Sequence, residues 1–310
     1  MKISAFTFCR NAASLYYPID AVIRSILPLV DEFVVALGKG EENDPTRSWI
    51  ESIENPKIKI IDTEWDLKAF PNGTIHAQQT DIAKEACTGD WLLYLQADEV
   101  VHEADLPLIR QQCEHYLNDE RVEGMLFQYH HFWGDYSHVV EAHGWYPKEI
   151  RLIRNRTDIH SWESAQSFRS IPGFDGKSYR RKEGSRKLRV VSSGARIFHY
   201  GWVRPPQVMT KKMQAMDRNH GHETIRFKDA FEYGDLSCLK VFNGSHPAVM
   251  QTWIEKMNWE DELDLTGTKG LKRSHRFKHE RWKYRLLHGL EQNLLAGKEV
   301  FAYRNYELVD

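Results

Sequence analysis

The N-terminal third of the chain alternates between short apolar runs and longer stretches with helical spacing. Four apolar runs predict buried strands, at residues 3–8, 32–37, 57–61 and 91–95. Helical patterns separate these runs: one near residues 19–27, one that starts at Asp44-Pro45, and one from about Thr74 to Cys87. Strands and helices that alternate with short connections predict an α/β fold with a doubly wound, mostly parallel sheet.

The order of elements changes after the fourth predicted strand. A helix near residues 106–117 precedes a long strand over 124–132, and residues 149–154 alternate as a half-buried strand does. Residues 176–189 are basic and contain Gly and Ser, which predicts a surface loop or hairpin. A strand over 196–200 follows.

The last third of the chain reads as helical. Three helices are predicted beyond Pro205, at about 205–219, 247–257 and 276–296. We therefore expect a sheet domain over residues 1–203 and a helical C-terminal region over 204–310.

The most informative segment is the end of the fourth predicted strand. There the apolar run Trp91–Leu95 stops, and Gln96, Ala97, Asp98 and Glu99 follow. Because burying two carboxylates costs free energy, we expect Asp98 and Glu99 to lie where the strand leaves the sheet rather than in the core. Ligands of open α/β sheets bind at that edge. A carboxylate pair there can bind a hard divalent cation, and such a cation can bind a diphosphate.

Composition indicates a globular chain with a well-packed core. The 310 residues carry a formal net charge of -2, and 41% of them are hydrophobic. No stretch of about 18 apolar residues could span a membrane, and Arg10 interrupts the first apolar run too soon for a signal peptide. The cysteines form no CxxC pair, so we expect no zinc site made from them, reduced thiols and a cytoplasmic location.

Four segments occur in an order that is typical of one enzyme family. Cys9-Arg10-Asn11 follows the first strand, Leu37-Gly38-Lys39-Gly40 follows the second, Ala83–Trp91 leads into the fourth, and Gln96-Ala97-Asp98-Glu99 ends it. In these segments the chain resembles the family 2 glycosyltransferases of the GT-A fold, in which the last segment corresponds to an Asp-x-Asp motif. The pattern is most similar to non-processive members, including lipopolysaccharide-core transferases, and the likeness covers roughly residues 1–200.

Two positions depart from the family pattern. Gln96 stands where the motif has its first Asp, so it can hydrogen-bond a ribose hydroxyl but brings no charge, and metal binding then depends mainly on Asp98. Thr80-Asp81 replaces the Arg-Asn pair that is usual in the preceding helix, which bears on donor recognition. The Gln-x-x-Arg-Trp motif of the processive polymerases is absent.

The resemblance implies an inverting transferase that moves a sugar from a nucleotide-sugar, with UDP the expected nucleotide, to a glycan or lipid-linked acceptor in cell-surface polysaccharide synthesis. It also implies Mn²⁺ or Mg²⁺ as the metal, with Asp98 and His199 as its ligands. Donor contacts are expected from seven positions: Phe8, Arg10, Asn11, Gly38, Lys68, Gln96 and Trp202.

The base that removes the acceptor's proton is expected to be a carboxylate. Glu163 is the first candidate, because it follows the strand over 149–154 by the interval at which related transferases place acceptor-side acids. Glu149 is the second. For either residue the alternative is a salt bridge to Arg151 or Arg154.

Other interpretations stay open at this point. A sugar nucleotidyltransferase would use a Gly-rich phosphate loop, which the segment Cys9–Ala13 lacks. A catalytically silent nucleotide- or glycan-binding protein would account for Gln96, and a scaffold would act through the C-terminal helices. Residues 269–285 contain eight Lys and Arg and only one acid, Glu280. That cluster is either a solvated helix face or a surface for an anionic partner such as membrane lipid headgroups. Nucleic acid is not an expected partner of a slightly acidic chain.

Overall fold

The computed structural model describes residues 1–222, 229–273, 276–294 and 304–309. The strands are β1 (Ile3–Cys9), β2 (Glu32–Gly38), β3 (Ile58–Thr63), β4 (Trp91–Tyr94), β5 (Glu99–Val101), β6 (Gly124–Trp133), β7 (His138–Val139), β8 (Lys148–Arg154), β9 (Ile159–Trp162), β10 (Ser167–Ser170), β11 (Arg186–Trp202), β12 (Lys240–Val241) and β13 (Tyr306–Leu308). The helices are α1 (Ile19–Ile26), α2 (Thr46–Glu51), α3 (Thr74–Glu85), α4 (Leu106–His115), α5 (Pro206–Asn219), α6 (Gln251–Glu255) and α7 (Trp282–Leu294).

One sheet runs through the described residues in the order β3-β2-β1-β4-β8-β6-β11-β10-β9. The first four of these strands are parallel, and β8 runs antiparallel to both β4 and β6. Beyond β8, β6 and β11 are parallel again. The predicted α/β fold is therefore confirmed. Its parallel, helix-connected strands are concentrated in the N-terminal part, and the pairing beyond β4 is mixed.

Side chains of the parallel strands alternate between two apolar layers, one on each face of the sheet. Ala5, Phe33 and Leu93 belong to the layer that includes α1, whereas Phe6 and Val34 belong to the layer that includes α3. Both faces are buried, which explains why these strands read as continuous apolar runs rather than as alternating patterns.

Strand β11 is longer than the sequence predicted. It runs from Arg186 to Trp202, so residues 186–189 belong to a strand rather than to the predicted loop or hairpin. Exposed charged residues alternate with buried apolar ones along its first half, because one face of the sheet is solvated there. Its end pairs antiparallel with β5, and this pairing places His199 opposite Glu99.

Asp98 and Glu99 lie beyond the end of β4, as expected, but the expectation that they escape burial is wrong. Both are buried, and Glu99 is fully so. Its carboxylate accepts two hydrogen bonds from the Arg151 guanidinium, at 2.7 and 2.8 Å, and one from the Tyr129 hydroxyl at 2.8 Å. The Gln96 backbone N–H also donates to it, at 3.1 Å. These partners replace the hydration that a buried carboxylate loses.

Residues after Val203 pack into the same apolar layer as α1. The indole N–H of Trp253 donates to Asp20, and that of Trp259 donates to the Gly134 carbonyl. The helix predicted at 205–219 is confirmed as α5, and that at 247–257 as a 3₁₀ turn followed by α6. The third corresponds to α7, and its predicted last residues, 295–296, lie outside the described residues. The division into domains at residues 203 and 204 stays a prediction.

Among the described residues, no helix combines the length and the apolar character that a bilayer span requires.

The Glu99–Arg151 pair leads to a stability prediction. Arg151→Met should lower the free energy of unfolding by about 3 to 5 kcal/mol, because it leaves the buried Glu99 carboxylate without its counter-ion. Removing both charges in Glu99→Gln/Arg151→Met should cost less than the single change. Urea denaturation measures both, and Arg121→Met, which removes an exposed ion pair to Asp119, is the control. A loss of under 1 kcal/mol in Arg151→Met would contradict this account of Glu99.

Candidate active site

A cleft of about 860 Å³ lies at the carboxyl ends of β1 and β4. Its walls come from several parts of the chain: residues 8–11 after β1, 96–98 after β4, 145–146, 164–166, the end of β11 and one side of α5. Parallel strands that end at one edge bring their following loops together, so residues distant in sequence meet here.

Most of the predicted donor-binding residues line this cleft. Phe8, Arg10, Asn11, Gln96 and Trp202 are among its walls. Gly38 lines an adjoining pocket of about 440 Å³, which shares Asn11, Gly40 and Glu41 with the cleft. Lys68 is exposed and lines neither space. The structure thus brings five of the seven positions together and places a sixth next to them.

The loop after β1 is connected to the loop after β2 through Asn11. Its side-chain oxygen accepts a hydrogen bond from the Glu41 backbone N–H at 2.8 Å, and its own backbone is left-handed, with φ of 54°. Asn tolerates that conformation better than most residues. The loop is therefore held in one shape at the entrance of the cleft.

An aromatic group forms the base of the cleft behind this loop. The Phe8 ring stacks on His76, with centroids 5.5 Å apart, and the Arg10 guanidinium lies over the Trp65 ring at 5.4 Å. Phe8, Trp65 and His76 all line the cleft. Sequence reasoning missed Trp65 and His76, because no local motif links these positions to the residues after β1.

Asp98 and His199 are brought together by the pairing of β5 with β11. The Tyr200 backbone N–H donates to the Asp98 carbonyl at 2.8 Å, which fixes the turn before β5 against the end of β11. The Asp98 Oδ1 atom then lies 3.8 Å from His199 Nε2. A side chain at Gly201 would collide with both groups, so glycine keeps the space beside them open.

A chain of hydrogen bonds fixes which nitrogen of His199 carries the proton. His131 Nε2 lies 2.8 Å from the Tyr146 carbonyl oxygen, so it must donate. Burial lowers the pKa of His131 to about 3, so the ring is neutral near pH 7 and its Nδ1 accepts. His199 Nδ1, 2.9 Å away, is then the donor. Burial also lowers the pKa of His199 to about 4, so this ring is neutral near pH 7 as well. Its Nε2 is therefore unprotonated and has a lone pair beside the Asp98 carboxylate.

Two acceptors that face each other favour a cation between them. Asp98 Oδ1 and His199 Nε2 supply one oxygen and one imidazole nitrogen, a donor pair that suits Mn²⁺ or Mg²⁺ when a diphosphate and water complete the ligands. The described residues contain no cluster of three or more His, Cys, Asp or Glu that could hold a metal by themselves. The predicted pair therefore fits a metal shared with a substrate.

Gln96 makes a structural contact instead of supplying a carboxylate. Its side-chain N–H donates to the Ala165 carbonyl at 3.0 Å. This bond connects the end of β4 to the turn between β9 and β10, where Ser164 and Gln166 line the cleft.

Lys212 is the cation that the sequence analysis missed. From α5 its ammonium lies 3.3 Å from Asp98 Oδ2 and donates to the Gly201 carbonyl at 2.6 Å. Burial lowers the pKa of Lys212 to about 7, although Asp98 opposes the shift. Burial raises the pKa of Asp98, but the Lys212 ammonium outweighs it and holds that pKa below its usual value. The preceding residue, Lys211, is exposed, because consecutive residues of a helix point to different sides of it.

The two candidate bases lie in different environments. Glu163 is half-buried in the turn after β9, with a left-handed backbone (φ of 55°), and its N–H donates to the Tyr179 carbonyl. Its neighbour Ser164 lines the cleft, whereas Glu163 itself does not. Glu149 is buried away from the cleft wall, and burial raises its pKa to about 7 against the opposing charge of Arg151.

Comparisons with known proteins give similarity at the level of structure only. No protein-family model and no curated protein matches the chain. TarS from S. aureus is 14% identical, with 70% of this chain and 39% of TarS covered and a TM-score of 0.39. TarS 1-349 in complex with UDP-GlcNAc is 13% identical, with 71% and 66% covered and a TM-score of 0.37.

A second similar structure is the glucosyl-3-phosphoglycerate synthase from Mycobacterium tuberculosis in complex with Mn²⁺, UDP and phosphoglyceric acid. It is 19% identical, with 43% of each chain covered and a TM-score of 0.28. The chain thus spans less than half the length of this synthase and of the longer TarS structure. Because all these TM-scores lie below 0.5, none of the likenesses establishes an activity for this chain.

The buried Glu149 carboxyl predicts a pH-dependent loss of stability. The pKa of Glu149 is about 7 in the folded protein against an ordinary 4.5, so the fold holds this proton more tightly than the unfolded chain does. Below about pH 4.5 the group is neutral in both states. As the pH rises toward 7, only the unfolded chain ionises, and the folded state loses stability.

Glu149→Gln should therefore equal the wild type near pH 4.5 and exceed it above pH 7 by up to about 3 kcal/mol. Thermal melts across this pH range measure the difference, with the exposed Glu183→Gln as the control. A difference that does not change with pH would contradict the assignment.

Proposed function

We propose that the protein is a glycosyltransferase that takes a sugar from a nucleotide-sugar donor, with UDP as the nucleotide. The observation that carries this proposal is the Asp98–His199 pair, at the carboxyl ends of parallel strands, in a cleft walled by Phe8, Arg10 and Lys212. The group expected there is a diphosphate between a flat base and a sugar.

The charges of the cleft favour an anionic ligand. Arg10, Lys212 and Arg218 contribute cations to its walls, whereas Arg151 is already neutralised by Glu99. Asp98 and Glu41 are the opposing acids among its lining residues. A diphosphate that enters between Arg10 and Lys212 would therefore meet a net positive surface of low dielectric constant.

A leaving diphosphate needs its developing charge neutralised, and a divalent cation supplies this when bound. Asp98 and His199 would hold that cation through Oδ1 and Nε2. The Lys212 ammonium, on the other oxygen of Asp98, would place a second positive charge beside the diphosphate. His131 keeps the His199 Nε2 lone pair available, because its Nδ1 accepts a hydrogen bond from the protonated Nδ1 of His199.

The acceptor hydroxyl needs a carboxylate to remove its proton, and we assign this role to Glu163. The turn that carries it is connected to the donor side of the cleft through the hydrogen bond from Gln96 to Ala165. In an inverting displacement the acceptor oxygen forms its bond to the sugar C1 atom while the bond from C1 to the diphosphate breaks, and the proton passes to the carboxylate. Glu149 is the alternative; neither carboxylate lines the cleft, and Glu149 is the more deeply buried of the two.

The finer assignments belong to the same proposal. They are a hexose as the transferred sugar, Mn²⁺ or Mg²⁺ as the metal, a glycan or lipid-linked acceptor, a lipopolysaccharide-core type of reaction and a cytoplasmic location. The resemblance of the N-terminal segments to family 2 glycosyltransferases supports them.

A second candidate is a catalytically silent nucleotide- or glycan-binding protein of the same fold. One observation favours it: Gln96 brings no charge, and the ammonium of Lys212 already accompanies Asp98. Such a protein would bind UDP without releasing it from UDP-sugars.

Nucleotide binding tests the proposed site directly. Thermal melts with UDP, GDP, CMP and dTDP, each with and without Mn²⁺, should show stabilisation by UDP that needs Mn²⁺. At a hundred times the dissociation constant, a ligand adds about 2.7 kcal/mol. Asp98→Asn should abolish the metal-dependent part, since it removes the charge and keeps the shape. Stabilisation by UDP that is the same without Mn²⁺ would contradict the metal assignment, and no stabilisation by any nucleotide would contradict the donor site.

Two lysine variants test whether Lys212 contributes to UDP binding. Lys212→Met should weaken UDP binding at least about tenfold, because a buried charge-assisted contact to the diphosphate is lost. Lys211→Met, one position away and exposed, should bind UDP as the wild type does. Calorimetry measures the affinity for UDP. Equal affinity in the wild type and both variants would mean that Lys212 contacts Asp98 but not the diphosphate.

The proposed base is tested by turnover. Glu163→Gln should keep the affinity for UDP and lower the release of UDP from the UDP-sugar at least about a hundredfold, because no group then accepts the proton. Glu149→Gln is the matched control and should stay within a few-fold of the wild type. Turnover near that of the wild type in Glu163→Gln would remove Glu163 from the mechanism.

A further inference from the structure

Helix α7 presents apolar side chains to the solvent. Trp282, Leu286 and Leu290 are 76%, 56% and 44% exposed. Residues four positions apart on a helix lie about 40° from each other around its axis, so the three form one stripe. Among the described residues outside α7, Leu308 is the one large apolar side chain that is as exposed as Leu286, at 57%.

The opposite side of α7 is the side that packs on the protein. Glu291 is fully buried, and its carboxylate lies 2.9 Å from His143 Nδ1. The His143 ring also stacks on Tyr284 at an interplanar angle of 16°. Tyr284 and Glu291 lie roughly opposite the stripe on the helix. A surface helix normally buries its apolar side, whereas α7 buries the Glu291 carboxylate and leaves the stripe in solvent.

Cations flank the stripe. Arg281, Lys283 and Arg285 are exposed on or beside α7, and three more exposed cations precede them: Lys272, Arg276 and Lys278. The one acid between residues 269 and 285, Glu280, already contacts Arg273. The surface therefore combines an apolar centre with a rim of exposed cations. We call the stripe and the three cations nearest to it the α7 surface. Its six residues are Trp282, Leu286, Leu290, Arg281, Lys283 and Arg285.

We propose that the α7 surface docks on an anionic lipid membrane, with the stripe in the interfacial layer and the cations on the lipid headgroups. Trp and Leu beside Lys and Arg are the combination that binds at a membrane interface. Each cation near an anionic surface adds to the attraction. A second copy of the chain fits less well, because a symmetric contact would place the same cations opposite each other.

The docked surface adjoins the cleft through one short segment. His143 contacts α7, and Trp145 and Tyr146, a few residues further along, line the cleft. Docking would therefore bring the cleft near the membrane surface, where a lipid-linked acceptor lies. The docking itself does not depend on the proposed glycosyl transfer, since it rests on α7 alone.

Vesicle co-sedimentation tests the proposal with the full-length protein. The vesicles are phosphatidylcholine alone and phosphatidylcholine mixed with phosphatidylglycerol, each at low and high salt. The variants are Trp282→Ser/Leu286→Ser/Leu290→Ser, which removes the stripe, and Arg281→Glu/Lys283→Glu, which reverses two cations. Leu308→Ser removes an equally exposed apolar side chain on β13 and is the control.

The wild type and the control should bind the mixed vesicles, more weakly at high salt, and the neutral vesicles much less. Each α7 variant should bind the mixed vesicles at least about tenfold more weakly while it melts at the wild-type temperature. Failure of the wild type to bind either vesicle would overturn the proposal. A stripe variant that binds the vesicles as the wild type does would also overturn it. A third contradicting result is a wild-type dimer that the stripe variant no longer forms, when neither protein binds vesicles. UDP binding is a separate readout, so failure of the donor site would leave this test intact.

Discussion

The architecture of the cleft depends on one buried carboxylate, Glu99. It follows Asp98 directly, and it is bound by Arg151 on β8, Tyr129 on β6 and the backbone of Gln96. These contacts connect the loop after β4 to β8, the neighbouring strand of the sheet, and to β6 beyond it. A buried charge that is fully paired restricts the backbone next to it to one arrangement, because any displacement would leave the charge without its partners. The position of the Asp98 carboxylate is a consequence of this restriction.

The pairing of β5 with β11 supplies the other half of the arrangement. It places His199 opposite Glu99 in the sheet, so the His199 imidazole near the end of β11 meets the carboxylate of Asp98, the residue just before β5. His131, on β6, then determines the orientation and the tautomer of His199. Residues from β6, β11 and the turn before β5 therefore act together to present an oxygen and a nitrogen lone pair to the same open space. Lys212, from α5, adds a positive charge beside Asp98.

Local patterns in the sequence were enough for the fold class and only partly enough for the site. The strands β1 to β4 were predictable because burial on both faces makes them continuous apolar runs. Strand β5 was not, because it has three residues and begins with a glutamate. Asp98 and His199 could be proposed together from the resemblance, whereas Lys212 could not be separated from Lys211. That distinction depends on which side of α5 faces the cleft, and the contact between His131 and His199 depends on the register of β6 and β11.

A crystal structure of the protein with UDP and Mn²⁺, with anomalous scattering used to locate the metal, would test the central claim most directly. The account predicts the diphosphate in the cleft, an anomalous peak within ligand distance of both Asp98 Oδ1 and His199 Nε2, and the Lys212 ammonium in contact with a phosphate oxygen. UDP bound elsewhere, or a diphosphate in the cleft whose metal contacts neither Asp98 nor His199, would contradict it.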